Sequence, residues 1–506
     1  VLYRWLQEVT EERGSAKALV YRDTYVSWRG LLHRVDRRAQ ELEAMGIGPG
    51  AWAGLMLGNV PDFVTLALAL AKLDAVVVPL DPTTSTRELE TVLETAPLRA
   101  LITRPRGGES SALPGTPPGG TPAPSRGPTS ARAKKVAPEA RRRLQGTLLT
   151  CSLYPRRALE PPKEGRAVLY TSDSFGEPKG VIRTTAQLTA TAEIIGRSLE
   201  VKPEEKILAA VPLYSAYGFD FGLLLALRYG LTLFLEDEVA PKRIAKVLRE
   251  HSVEILPATP MIYAALAKLL TAKPLSKTKS PRFLAAGSPL VDGLADTFRT
   301  RYGVRLMSCY HTTEAGPVSF DQRAQTPKSV GKPFDEVEIE ITDPQGDRLT
   351  GDKEGIVWVR SASSSAHYVG AAPAPPPAKT GRAAKESKGR TAVAVGYSDS
   401  RGWCRTGDIG WLDRAGRLFL GGREDDLVKV DGKRVALGEV EGCLESFPKV
   451  KQAQAVVITD PLVGPMVIAR VVAAGRCEAE ELIDHCAKNL APYKVPRRIE
   501  FCDTLA

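Results

Sequence analysis

The chain has 506 residues, of which 43% are hydrophobic and 25% charged, enough for a sizeable core and incompatible with wholesale disorder. Its formal charge of +10 is local: residues 104–160 hold 11 Lys/Arg against 3 Asp/Glu, residues 371–395 hold 5 against 1, and the remainder carries −2. A basic surface spread over the whole chain, as nucleic acid or an anionic membrane would need, is therefore excluded, and no nucleic-acid partner is expected.

At about 100–200 residues per domain the length predicts three units, or one large and one small. Trp28 to Met45 carries apolar residues at helical spacing, and the glycines from Gly46 on stop it. Leu55 and Met56 fall in a short strand, Asp62 to Lys72 reads as a helix, and Ala75 to Leu80 reads as a buried parallel strand. Two segments, 104–160 and 371–395, combine Pro and Gly with few large apolar residues, and both are expected to be disordered surface insertions. Between them the rhythm continues, with strands near Ala167–Tyr170, Ile207–Val211, Val253–Pro257 and Val304–Cys309 and helices in between. That alternation predicts a parallel sheet covered on both faces. Beyond about residue 425 a short β-rich stretch leads to helix Leu437–Ser446, strands Ala453–Ile458 and Met466–Val472, and helix Glu478–Leu490, a small α+β unit.

No apolar run reaches the roughly 18–20 residues of a membrane span, and no signal peptide is visible. The seven cysteines form no CxxC pair, which argues against a thiolate zinc site or a disulfide framework. Buried structural thiols and a reducing cytoplasm are the expectation. The chain opens on Val1, as a fragment or processed chain would.

The stretch YTSDSFGEPKG at 170–180 follows a strand and precedes a helix expected to be capped by Thr184 or Thr185. Hydroxyls, backbone N–H groups and a Lys in such a loop suit phosphate oxygens, although the Walker spacing is absent. It resembles the YTSGTTGxPKG signature of the adenylate-forming superfamily, which includes acyl-CoA synthetases, luciferase and peptide-synthetase adenylation domains. Further matches follow in that family's order: PLYSAYG at 212–218, PATPMIY at 257–263, AGSPL at 286–290, YHTTE at 310–314, SVGKP at 329–333, GIVWVR at 355–360, GWCRTGD at 402–408, GREDDLVK at 422–429, GKR at 432–434 and LAPYKVP at 490–496. Together they cover the chain outside the two insertions.

The resemblance implies an α/β fold. A large adenylate-forming domain over 1–424 has helix-covered parallel sheets and a small β-barrel-like subdomain. A small mobile α+β domain spans 425–506. It implies an acid–thiol ligase that uses ATP and Mg²⁺ to convert a carboxylic acid into acyl-AMP and pyrophosphate, then passes the acyl group to coenzyme A or a carrier-protein thiol. It implies that Thr171, Ser172, Ser174, Gly176 and Lys179 form the phosphate loop, Thr171 and Lys179 among the catalytic groups. Glu314 would be catalytic and hold Mg²⁺, a hard cation that wants oxygen ligands. Gly287, Ser288 and Tyr310 would line adenine, Thr313 would meet the carboxylate or α-phosphate, and Asp408 and Arg423 the ribose. Tyr214, Ser215, Gly218 and His311 would form the acyl pocket, Asp425 the hinge, and Gly432, Lys433 and Arg434 the CoA channel.

The chain departs from the family in three places. Asp173 and Phe175 replace a Gly and a hydroxyl of the phosphate loop. A carboxylate about 4 Å from a phosphate charge costs on the order of 4 kcal/mol at an effective dielectric near 20. Ser215 and His311 replace the acyl-site His and the Gly of YGxTE. The chain also ends at Ala506, before the segment expected to carry the adenylation Lys. Lys494 belongs to the preceding element and is expected to be structural. A fatty or aromatic acid is favoured by the apolar run Phe219–Leu227. Asp220 within that run keeps open an amino-acid adenylation domain of peptide-synthetase type, where an Asp holds an ammonium. The reading from a different class is an adenylate-binding protein without adenylating activity.

Overall fold

The computed structural model describes residues 1–104, 138–155, 165–172, 178–236, 240–269, 275, 278, 280–288, 290, 293–322, 328–365, 367–369, 398–399, 401–423, 428–430, 433–435, 437–460 and 464–502. Among them two large sheets, of seven and thirteen strands, make up the large unit. The seven-stranded sheet has a parallel centre, Trp52–Met56 beside Val76–Pro79 and Leu98–Thr103, with Val76–Pro79 also pairing Gly165–Ser172. The thirteen-stranded sheet is parallel from Lys17–Tyr21 to Leu306–Thr312. It then turns antiparallel through Gly316–Phe320 to Glu338–Thr342. The β-rich subdomain implied by the resemblance is this antiparallel continuation.

Helix Pro61–Lys72 shows why the alternation works. Every residue from Phe63 to Leu70 is buried, so the helix is apolar all round, as a helix enclosed on all sides must be. Pro61 starts it at a position where no N–H is needed. One backbone approach demands glycine: Gly331 has φ +86°, and a Cβ there would lie 1.9 Å from the Phe320 carbonyl.

Two expectations are corrected. Residues 138–155, placed inside the first insertion, are not disordered. Strand Thr150–Leu153 extends the seven-stranded sheet antiparallel to Leu98–Thr103, Ala140–Arg143 pairs antiparallel with Thr150–Leu153 at the edge, and Leu144, Leu149, Cys151 and Leu153 are buried. These four apolar side chains in that short hairpin are enough to anchor it, although the three arginines mask them in a charge count. Residues 105–137, 156–164 and 371–395 lie outside the described residues. Second, a strand absent from the expected elements, Pro178–Thr184, lies before the helix and pairs with Gly165–Ser172 in a β-hairpin. Helix Thr185–Ser198 starts where expected, capped by Thr184 with Gln187 in a capping box.

The small α+β unit packs helices Leu437–Glu445 and Ala479–Asn489 on strands Val450–Asp460, Gly464–Ala473 and Ile499–Phe501. Val440, Leu444, Val467, Leu482 and Cys486 fill its core. Five of the seven cysteines are buried. No helix among the described residues is long and apolar enough to cross a membrane.

Candidate active site

The hairpin sets Thr171 opposite Lys179, with the Thr171 hydroxyl 3.5 Å from the Lys179 carbonyl. Ser174 and Gly176 lie outside the described residues, as do Asp173 and Phe175. Ser172 is described only in its backbone pairing with Pro178. The Lys179 ammonium sits 5.7 Å from the centre of the Tyr368 ring. The Tyr368 phenol donates to Glu314 Oε1 at 2.9 Å. Tyr368 thus joins two expected phosphate-side groups that are 135 residues apart in sequence, and nothing in the sequence singled it out. Glu314 is buried, at 4% exposure, and its carbonyl accepts from Ser365 N–H at 2.7 Å.

Beside these groups, Tyr310 and Asp408 meet across 98 residues of sequence: the Tyr310 phenol donates to Asp408 Oδ2, and both side chains are buried. Thr406 holds the Asp408 turn by accepting its N–H at 3.1 Å while donating to the Val357 carbonyl at 2.8 Å. Arg423 faces Asp408 in the strand register. Gly287, at φ +97°, and Ser288 form the turn after strand Arg282–Ala285. The strand register shifts between Tyr310 and His311, and the two neighbours meet different partners, Asp408 and Asp220.

His311 turns to the acyl side. Its Nε2 lies 2.9 Å from Asp220 Oδ2, and the Arg183 guanidinium stands 3.7 Å from the same oxygen. Asp220 and Arg183 are both fully buried. Arg183 also donates to the Thr313 carbonyl at 2.9 Å, tying this cluster to the YHTTE turn. The 212–218 segment is fixed by Asn59, which donates to the Ala209 and Val211 carbonyls and accepts from Leu213 N–H. The Ser215 hydroxyl caps the short helix that follows, accepting from Gly218 N–H at 3.2 Å and donating to the Pro212 carbonyl at 2.7 Å. Gly218 packs on that carbonyl, where a Cβ would come to 2.0 Å.

A cavity of about 220 Å³ joins these parts. Thr171, Tyr214, Ser215, Gly287, His311, Thr313 and Lys433 line it, so phosphate-side, base-side, acyl-side and small-unit expectations converge on one space. Lys179, Gly218, Ser288, Tyr310, Glu314 and Asp408 are not among its lining residues. Gly432 and Asp425 lie outside the described residues, and Arg434 is described only in its backbone pairing with Lys429.

The small unit supplies one wall. Lys433 forms an ion pair with Asp81 and stands 5.5 Å from the Tyr214 ring centre and 4.4 Å from that of Tyr493. Lys494, 2% exposed in its side chain, reaches Glu88 Oε1 at 2.8 Å and Glu439 Oε1 at 3.1 Å. Burial works against the Lys494 charge, but Tyr493, Glu88 and Glu439 outweigh it and push the ammonium's pKa up. For Asp81, burial raises the carboxyl, and Lys433 with Thr83 overcomes this and holds it below the usual carboxylate range. Asp81 and Glu88 carry no signal in the sequence, because their partners lie 352 and 406 residues away.

Known proteins resemble the chain in sequence and in fold. The chain is 25% identical to the feruloyl-CoA synthase of Amycolatopsis sp, over 97% of this chain and 92% of that one. It is 25% identical to the 2-succinylbenzoate–CoA ligase of Bacillus cereus, over 99% and 95%. Among solved structures, o-succinylbenzoate CoA synthetase (MenE) from Bacillus subtilis, a double mutant bound with its product analogue OSB-NCoA, superposes with TM-score 0.77 at 23% identity, over 99% and 95% of the chains. MenE in complex with ATP and magnesium ion gives 0.65 at 23%, over 99% and 96%. The AMP-binding enzyme family matches residues 6–369 and the AMP-binding enzyme C-terminal domain matches residues 439–506. With the two matches covering most of its length in the order that the motifs predict, the chain belongs to the AMP-binding enzyme family, within the adenylate-forming superfamily.

Proposed function

We propose that this protein is an ATP-dependent acid–CoA ligase. A carboxylate attacks the α-phosphate of ATP, forming acyl-AMP and releasing pyrophosphate. The CoA thiol then attacks the acyl carbon, forming the thioester and releasing AMP. The observation that carries this reading is the single cavity shared by Thr171, Gly287, His311, Thr313 and Lys433. It brings a phosphate-side hydroxyl, a base-side backbone, an acyl-side wall and a small-unit cation to one place. The two curated relatives named above are both CoA ligases, which supports CoA over a carrier protein as the acceptor.

In this reading, Thr171 and Thr313 offer hydroxyls to the phosphates from the cavity wall, and Lys179, outside its lining, offers a charge. Tyr310 and Asp408 bound the nucleoside side. Asp408 already accepts from the Tyr310 phenol, and an ionised carboxylate retains capacity for a ribose hydroxyl. Ser288 and Arg423 belong to the same nucleotide wall. Lys433, with Gly432 and Arg434, belongs to the CoA entry, and Asp425 to a hinge between units 1–424 and 425–506. No group of three His, Cys, Asp or Glu side chains converges among the described residues. One buried carboxylate, Glu314, fits Mg²⁺ that arrives on the phosphates of ATP. Once bound, the ion would neutralise phosphate charge.

An aromatic acid is favoured over a fatty one by the names of the curated relatives, a feruloyl-CoA synthase and a 2-succinylbenzoate–CoA ligase. The amino-acid reading is disfavoured, because Asp220 is fully buried against His311 and Arg183 and its charge is already matched. The test is acid-dependent pyrophosphate exchange and thioester formation with ATP, Mg²⁺, CoA and a panel of acids. Exchange with thioester product supports the ligase, exchange only with amino acids supports the peptide-synthetase reading, and tight AMP binding without exchange supports a mere adenylate binder.

A further inference from the structure

Residues 363–365 and 367–369 strap the phosphate hairpin to the YHTTE turn. On the hairpin side, Ile182 N–H donates to the His367 carbonyl at 3.0 Å and Val369 N–H to the Gly180 carbonyl at 2.8 Å. Tyr368, between these two bonds, pairs antiparallel with Val181. On the turn side, Ser365 N–H donates to the Glu314 carbonyl at 2.7 Å, and the Ser363 hydroxyl donates to the Ala315 carbonyl at 2.7 Å. The Ser365 hydroxyl joins the two sides by donating to the Ile182 carbonyl at 2.5 Å. The backbone on either side of Tyr368 is therefore tied down, and that fixes where its side chain goes.

That side chain is buried and has two chemically different ends. Its phenol donates to Glu314 Oε1 at 2.9 Å. Its ring centre lies 5.7 Å from the Lys179 ammonium, inside the roughly 6 Å over which a cation is drawn to an aromatic face. One residue thus touches both charges of the phosphate side, the carboxylate through its hydroxyl and the ammonium through its ring. A phenylalanine would fill the same space and still face the ammonium, so the hydroxyl answers to Glu314 alone. Carboxylates that ligate metals are held by such hydrogen bonds, and losing the partner costs about 10–100-fold in metal affinity or activity.

We infer that Tyr368 is a positioning residue for both phosphate-side charges. Its phenol orients the Glu314 carboxylate for the Mg²⁺ that arrives on ATP, and its ring holds the Lys179 ammonium beside the same triphosphate. Metal and ammonium then meet one ligand from a single anchored side chain. The inference rests on the acid–CoA ligase reading and adds to it a residue that no motif of the sequence contains.

The experiment measures the Kd of ATP by calorimetry, with Mg²⁺ and with EDTA, in the absence of acid and CoA, so that binding and not turnover is read. The wild type is expected to gain about tenfold or more in affinity from Mg²⁺, and Tyr368→Phe to lose that gain. In EDTA, Tyr368→Phe should stay within about threefold of the wild type, since it keeps the ring that faces the ammonium. Tyr368→Leu removes phenol and ring together, and should lose the Mg²⁺ gain and also weaken ATP about threefold or more in EDTA. Both variants lack the phenol, so either one that folds tests its role. If Tyr368→Phe keeps the gain, or weakens ATP equally with and without Mg²⁺, the phenol is merely structural and the inference is wrong. If Tyr368→Leu binds ATP in EDTA as tightly as Tyr368→Phe does, the ring does not hold Lys179. Acid-dependent pyrophosphate exchange by the wild type beside an unchanged gain in Tyr368→Phe sinks the inference and leaves the ligase reading standing. A wild type that binds ATP under neither condition sinks the ligase reading itself.

Discussion

The cavity has two walls built on opposite principles. The large-unit wall is preset: Thr313 lines it, Tyr310 and Glu314 stand in the same YHTTE segment on or beside sheet strands, and buried hydrogen bonds from Tyr368, Arg183 and Thr406 hold their surroundings. The small-unit wall is attached by charge: Lys433 on Asp81, and Lys494 between Glu88 and Glu439. A buried hydrogen-bonded frame keeps its geometry whether or not the small unit is docked. Ion pairs across a boundary can be made and released without unfolding either side. The contrast fits a reaction with one fixed centre and two successive visitors, a triphosphate and then a thiol.

The largest effect should come from the preset wall. Glu314→Gln keeps an oxygen for the Tyr368 phenol, so the melting temperature should change little. Acid-dependent pyrophosphate exchange should fall by about 100-fold or more, the size expected when a group that stabilises transition-state charge is removed. A drop of less than tenfold would place the metal or phosphate contact elsewhere. Next is Lys494→Met, which leaves Glu88 and Glu439 without their shared cation. Removing one partner of a buried pair costs about 3 kcal/mol. The loss should fall on thioester formation while exchange stays within a few-fold, and equal losses in both would erase the distinction between the walls.

The Asp81–Lys433 pair is more open, with side-chain exposures of 15% and 26%, so Asp81→Asn should cost only about 1 kcal/mol. It would be read as a few-fold rise in KM for CoA with KM for ATP unchanged. The pH dependence is the gentlest probe. The Asp81 carboxyl is held below its ordinary 3.8, so its contribution is complete above that pH and is lost as pH falls through the lower folded value. The Lys494 ammonium is held above its ordinary 10.5, so its contribution is complete below that pH and is lost as pH rises through the higher folded value. Docking of the small unit, followed by limited proteolysis at the junction, should therefore be flat across neutral pH and weaken only at both extremes. Loosening near pH 7 would rule out these pairs as its cause.

Much of the frame was legible from the order of residues. The αβ rhythm, the buried strand at Val76–Pro79, the helix at Pro61–Lys72 and the small unit's helices all follow from local periodicity, which the chain carries within a dozen residues. The motif run also placed Thr171, Gly287, His311, Thr313 and Lys433, and the fold brings them to one cavity. The hairpin after Gly165–Ser172 was misread because a short strand of mixed polarity, Pro178–Thr184, has no apolar alternation to separate it from a loop. The ordered segment 138–155 was hidden by its arginines.

What the sequence alone determined is the family, the alternating architecture and the roster of polar residues with a stake in phosphate chemistry, since each is written in short contiguous patterns. Which charges meet was decided only in three dimensions. Asp81 with Lys433, Glu88 with Lys494, and Arg183 with Asp220 and His311 are pairings across 91 to 406 residues for all but the nearest members. No local pattern encodes them, because a buried charge is stable only where the fold has brought its partner.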